Sequence, residues 1–357
     1  TDAPVHVLRS SLGEPDPDAR DTEAFETILS GDLAGDDGPD FTNNDENCFH
    51  VVSALGSGSG AVLDGFTITG GYAGASGSYP NVENRGGGMQ CDRDVTVIDC
   101  RFVANKASDG GGMYCGSTDA AGYPRIVDCS FIGNDAMSGA GLYVNSVNPD
   151  ISGCAFIENT AHYAGGGILF GNDDLSTLSD CLFIGNTSGE YGGGMDCTYA
   201  SRLVVINCTY SRNVAAGCGG AVHGGGPDSY LSFLNCTIVD NQANVGAGLN
   251  IESTPTTVTS TILWRNEGRD GYGQAAQIDG AVPPVVNYSC IMGWTGDWGG
   301  TGNIGLDPRF VGFPVNPLYV DETNTGPADG TEARPYPTVL QAIAAAINYG
   351  YCLRLAE

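Results

Sequence analysis

The stretch "DCRFVANKASDGGGM" occupies residues 99–113, and both of its halves recur down the chain. The first half returns as "DCSFIGN" at 128, "GCAFIEN" at 153, "DCLFIGN" at 180, "NCTYSRN" at 207, "NCTIVDN" at 235 and, more loosely, "STILWRN" at 260. The second is a glycine triplet closed by an apolar residue. It stands as "GGGM" at 86 and 110, "GAGL" at 139, "GGGI" at 165, "GGGM" at 192, "GGAV" at 219 and "GAGL" at 246. The asparagines that close the first pattern are Asn105, Asn134, Asn159, Asn186, Asn213, Asn241 and Asn266, spaced by 29, 25, 27, 27, 28 and 25 residues.

Self-similarity at a fixed period decides the architecture before any single residue does. A period near 27 is too short for a propeller blade, and the leucine pattern of leucine-rich repeats is missing. Glycine triplets and β-branched runs exclude a helix. Short strands broken by Gly, Asn and Asp turns fit instead. One turn of a three-faced parallel β-solenoid needs about this many residues, and its coils stack at the strand spacing of about 4.8 Å. Equivalent residues then lie above one another. Cys100, Cys129, Cys154, Cys181, Cys208 and Cys236 become one inward column, with Thr261 filling a gap before Cys290. Phe102, Phe131, Phe156, Phe183, Tyr210 and Ile238 become a second. The closing asparagines form a turn ladder whose amides bond from coil to coil.

The pairing of the glycine motif with "FxxN" resembles the repeat of chlamydial polymorphic outer membrane proteins. It is also similar to the right-handed parallel β-helices of large bacterial surface and secreted proteins, in the pectin-lyase-like superfamily. The motif-bearing part covers about residues 62–310. Upstream, "ETILSGDLAGDDGPDFTNNDENCFHVV" and "AVLDGFTITGG" resemble first coils with an acidic insert, and "GNIGLDPRFVG" at 302 resembles a closing coil. The resemblance implies an all-β fold: a right-handed parallel β-helix over residues 27–312, about ten coils and about 50 Å long.

Residues 1–26 then form an entry segment without a cap of its own, and 313–357 a small strand-loop-helix segment. "LYVDETNTGPADGTEARPYPTVLQAIAAA" resembles the capping entry of such helices, with Leu340, Ile343 and Ile347 on one helical face. The expectation is that this segment docks on the open first coil of the next subunit or tandem module. Tyr319, Val320, Leu340, Ile343, Ile347, Leu353 and Leu355 would meet Val5, Val7 and Leu8. A head-to-tail contact of that kind builds a filament.

Composition bounds the partners. The chain has 357 residues, 55 of them Gly, with 41% hydrophobic residues. A sizeable core is therefore available. Charged residues are 16% and the formal net charge is −28, with a single lysine, Lys106. Such a surface repels nucleic acid and anionic membrane. No run of about 18 apolar residues suggests a membrane span. The charge suits divalent cations or a cationic partner.

Four features are candidate sites. Asp32, Asp36 and Asp37 lead an oxygen-rich stretch, 32–46, of the kind that binds Ca²⁺, although not at EF-hand spacing. Cys91 and Cys115 share an inward position on adjacent coils and form a candidate disulfide, which oxidising surroundings permit. The position after each glycine motif reads Gln90, Tyr114, Tyr143, Leu169, Asp196, His223, Asn250 and Asp279. As an outward row it makes Asp196, His223 and Asp279 the catalytic candidates of a carbohydrate-active enzyme, a polysaccharide lyase or glycoside hydrolase, with Glu252 and Thr198 nearby. No Lys or Arg joins the row, so the first expectation is a non-enzymatic, extracellular or cell-surface module. Its role is structural or adhesive, with itself or a polysaccharide as partner. The aliphatic row Val103, Ile132, Ile157, Ile184, Val239 and Trp264 is read as core.

Overall fold

The computed structural model describes residues 26–308, apart from 57–59, 75–83, 93, 117–121, 173–174, 199–201 and 227. The chain divides after Leu306 into two compact units, and the first of them carries the coils. The expected assembly residues Val5, Val7, Leu8, Tyr319, Val320, Leu340, Ile343, Ile347, Leu353 and Leu355 lie outside the described residues.

The motif sets the path of each coil. Strand Arg101–Val103 carries Phe102 inward, and Asn105 turns the chain. Strand Lys106–Asp109 then runs to the glycine triplet, after which come strands Met113–Gly116 and Arg125–Val127. Asp128 closes the coil in the left-handed region, at φ 53°. The equivalents Asp99, Asp180, Asn207, Asn235 and Ser260 share that conformation, as does Gly153. This explains the residue before each cysteine: Asp, Asn and Gly tolerate positive φ better than other residues do.

Every pair of stacked strands is parallel, and equivalent motif residues pair in register. The phenylalanine sheet has ten strands, from Ile28–Ser30 to Cys290–Ile291. The polar-row sheet has nine, from Val52–Ala54 to Ile278–Asp279. The valine sheet also has nine, from Ala61–Asp64 to Val285–Asn287. The complete motif set repeats over about seven turns. The expected ten is reached only in the phenylalanine sheet, because its end strands lack the cysteine or the asparagine.

A fourth, six-stranded sheet departs from the three-faced expectation. It runs from Tyr72–Ala73 to Val214–Ala215. Four or five residues separate each asparagine from its glycine triplet, which is room for a short strand. The chain must then turn back at the triplet, and Gly192 shows why no side chain fits there. Its φ is 58°, and a Cβ would sit 2.8 Å from the Cα of Asp196. The short sheet is thereby folded against the outer side of the polar-row sheet.

The interior follows the columns. The rings of Phe102, Phe131, Phe156, Phe183 and Tyr210 stack with centroids 4.8, 4.8, 4.9 and 4.4 Å apart, the coil spacing itself. Cys100, Cys129, Cys154, Cys181, Cys208 and Cys236 are buried beside them, and Thr261 continues their column, but the expected Cys290 does not: it pairs with Ile262, so Ser289 is the residue that follows Thr261. Each of the six thiols bonds the carbonyl two residues back. Burial pushes the Cys100 thiol up to about 12 and Cys236 to about 11. Cys100 and Cys236 are therefore packing groups, since a reactive thiol is one whose pKa is lowered.

The asparagine ladder is deeper than a turn ladder. Asn105, Asn134, Asn159, Asn186, Asn213, Asn241 and Asn266 are all fully buried. Each bonds the next amide, and the chain ends on Gln277 Oε1. Gln277, on the short helix Gln274–Gln277, stands in no "FxxN" motif, so the repeat gives no sign of this terminator. The aliphatic row lies on the outer side of its strands, not inside. Ile157, Ile184 and Val239 are nevertheless buried there, while Val103, Ile132 and Trp264 are half-buried.

Candidate functional site

The row expected on the polar-row sheet is in register: Gln90, Tyr114, Tyr143, Leu169, Asp196, His223, Asn250 and Asp279 pair coil by coil. It faces outward, but it is not open to solvent along its length. Gln90, Asp196, His223 and Asn250 are 3, 1, 3 and 4% exposed. Tolerance of a charge at Gln90, which an open outward position would imply, is therefore not expected. The corner between the row and the folded-back short sheet accounts for the burial. Arg85 lies over the Tyr114 ring at 4.9 Å, and the Tyr191 ring lies 4.7 Å from that of His223.

The corner brings Asp196 and His223 together, with Oδ1 2.6 Å from the imidazole Nδ1. Asp279, two coils beyond His223, is half-buried and about 10 Å along the stack at the usual strand spacing. Glu252 takes the place expected for it. Its carboxylate Oε1 is 3.4 Å from His223 Nε2. Nε2 is buried and makes no aligned hydrogen bond, so the Glu252 contact is one of charge. Asn250 Oδ1, on the adjoining coil, is also buried without a partner. Glu252 has φ 29°, a conformation that costs a non-glycine residue of order 1–3 kcal/mol and clusters at functional sites.

Electrostatics set the protonation. Burial lowers the His223 pKa, but the hydrogen bond and charge of Asp196, with the charge of Glu252, outweigh it and the net shift is upward. Protonated His223 therefore stabilises the fold fully below its unfolded pKa, and that contribution is lost as pH rises through the folded pKa. Glu252→Gln is expected to move the imidazole titration midpoint, followed by NMR of the ring protons, to lower pH. An unmoved midpoint would remove Glu252 from the site. Cys218, half-buried on the same wall, has its thiol raised by burial, then by Glu252, Asp279 and Glu190. It is not a poised nucleophile.

The remaining wall is aromatic and acidic. Tyr163 is 49% exposed and meets Tyr191 edge to face at 5.7 Å. Tyr143 stacks on Tyr114 at 5.4 Å. Elsewhere, Cys91 and Cys115 are joined by a disulfide across adjacent coils. In the acidic insert, carboxylates of Asp32, Asp37 and Glu46 converge, and Asp36 is not among them. Among the described residues no helix is long and apolar enough to cross a membrane.

No curated protein and no solved structure matches the chain. Residues 88–263 match the family model described as a right handed beta helix region. Together with the stacked parallel coils, that match places the chain among the right-handed parallel β-helix repeat proteins.

Proposed function

We propose that this β-helix is an extracellular binding module of adhesive type, and that its corner receives a non-acidic glycan. The observation that carries the reading is the make-up of the corner. Tyr143, Tyr163 and Tyr191 lie toward one end of the row, and Glu190, Glu252 and Asp279 continue along it on the following coils. Aromatic rings accept the C–H faces of pyranose rings, and carboxylates accept hydroxyl hydrogen bonds. The arginine at the corner, Arg85, is engaged with Asp109 and Tyr114, and His223 is held by Asp196 and Glu252. With a formal charge of −28, the surface disfavours a polyuronate. The Cys91–Cys115 disulfide fits an oxidising compartment.

Binding is favoured over turnover because His223 Nε2 is shut in, and a general base must reach the proton it takes. The Asp196–His223 hydrogen bond itself favours a second reading, a carbohydrate-active enzyme whose base is uncovered when Tyr191 moves. Affinity electrophoresis in gels cast with neutral, amino-bearing or acidic polysaccharides separates the readings. Retardation by a neutral or amino-bearing polymer, weakened at least tenfold by Tyr163→Ala, is the expected result. Preference for the acidic polymer, or an unaffected Tyr163→Ala, would sink the glycan reading. Release of reducing ends that His223→Gln abolishes would favour the enzyme.

A further inference from the structure

The Asp196–His223 pair leaves one ring nitrogen unused. We propose that His223 Nε2, Glu252 and Asn250 bind one Zn²⁺ ion, at a site that stands whether or not the corner receives a glycan. Asp196 Oδ1 lies 2.6 Å from His223 Nδ1. An ionised carboxylate only accepts, so Nδ1 carries the hydrogen and the neutral ring keeps its lone pair on Nε2. A second acceptor, Glu252 Oε1, lies 3.4 Å from that nitrogen. Two acceptors this close repel one another unless a cation joins them. A proton on Nε2 is one such cation, yet Nε2 is buried and makes no aligned hydrogen bond. An ion bound along the Nε2 lone pair holds its next ligand well off that axis, and the same offset spoils a hydrogen bond.

The distance selects the ion. Ligands about 2.0–2.1 Å from a tetrahedral ion are about 3.3–3.4 Å apart. At right angles, as around a square-planar or octahedral ion, they are about 2.9 Å apart. The observed 3.4 Å is the tetrahedral span, which is that of Zn²⁺. A nitrogen ligand also disfavours Ca²⁺ and Mg²⁺, which take oxygen. Asp196 supplies what such a histidine needs, since a metal-bound imidazole almost always donates its other N–H to a carboxylate, a carbonyl or water. The third ligand comes from the adjoining coil. Asn250 pairs in register with His223 and is 4% exposed, and its Oδ1 has no hydrogen-bond partner. Buried acceptors are rarely left so. Its side chain leaves the strand on the side of the glycine triplet: a Cβ added at Gly246 would lie 2.9 Å from that of Asn250. The Glu252 side chain is 51% exposed, so the ion enters from its side and keeps a fourth position there for water.

The test is calorimetric titration of the full chain, stripped of metal by a chelator, with ZnCl₂ and, separately, CaCl₂. One saturable Zn²⁺ site is expected, with Ca²⁺ at least tenfold weaker. Glu252→Gln and Asn250→Ala should each weaken Zn²⁺ at least tenfold. Glu252 is exposed, so Glu252→Gln keeps the measurement available if Asn250→Ala disturbs the corner, and circular dichroism checks the fold. His162, whose Nε2 is already hydrogen-bonded to Asp135, is the control, and His162→Gln should bind as the parent does. Ring-proton NMR gives a second readout. Of the four histidines in the chain, His223 alone should shift with one equivalent of Zn²⁺. An unmoved His223, or a Glu252→Gln variant that binds as tightly as the parent, overturns the proposal. So does an equal loss in His162→Gln, which would place the ion elsewhere.

Discussion

Replacing Asn186 with alanine is expected to lower the unfolding free energy by about 4 kcal/mol, because buried partners left unbonded cost roughly 1–3 kcal/mol each and a cavity is added. Asn186 is fully buried. Its Nδ2 donates to the Phe156 carbonyl at 2.8 Å and to Asn213 Oδ1 at 2.9 Å. Its Oδ1 accepts from the Asn159 backbone N–H at 3.1 Å and from Asn159 Nδ2 at 2.9 Å. Alanine removes all four contacts at a position with no exposed surface. The exposed Thr160→Ala in the preceding coil should stay within about 0.5 kcal/mol, as surface changes usually do. Urea-unfolding midpoints of the two variants make the comparison. If Asn186→Ala unfolds beside Thr160→Ala, the ladder is not what registers the coils.

The ladder also shows how far the sequence could be read. Periodicity placed the asparagines in one column, because side chains at equivalent points of a solenoid must stack. It placed the cysteines, Phe102 and its partners inside for the same reason, and it aligned Asp196 with His223. Three things were not legible. The depth of the ladder was hidden because Asn is a common turn residue as well as a buried amide. Gln277 was hidden because it takes over the ladder from outside the repeat. The burial of the polar row was hidden because it depends on the short sheet folding back at the glycine triplet, a tertiary event. Alternation along a strand gives the side a residue faces, not what lies on that side. That is also why Glu252, at an irregular turn with φ 29°, could be named only as a neighbour of His223.

Breaking an ion pair in this corner should strengthen the fold: Asp109→Asn is expected to stabilise the protein above pH 6 by about 2 to 3 kcal/mol. Asp109 lies in the short sheet at the edge of the groove, with its side chain 7% exposed and 3.8 Å from Arg85 Nε. Burial raises its carboxyl pKa to about 6, and the Arg85 charge offsets only part of that. The sign follows from the two states. Below about pH 4 the group is protonated both folded and unfolded, and contributes nothing either way. Between about pH 4 and 6 the folded protein keeps a proton that the unfolded chain has released, so stability falls as pH rises. Above pH 6 the full cost of a buried carboxylate is present, and a loose contact at 3.8 Å does not repay it. Asparagine has nearly the same shape and never ionises, so the advantage of the substitution should appear between about pH 4 and 6 and level off above. Melting temperatures of both forms at about pH 4 and about pH 8 test this. Equal shifts at the two pH values would mean that the gain is not electrostatic. A loss at the higher pH would mean that the Arg85 pair holds the short sheet in place.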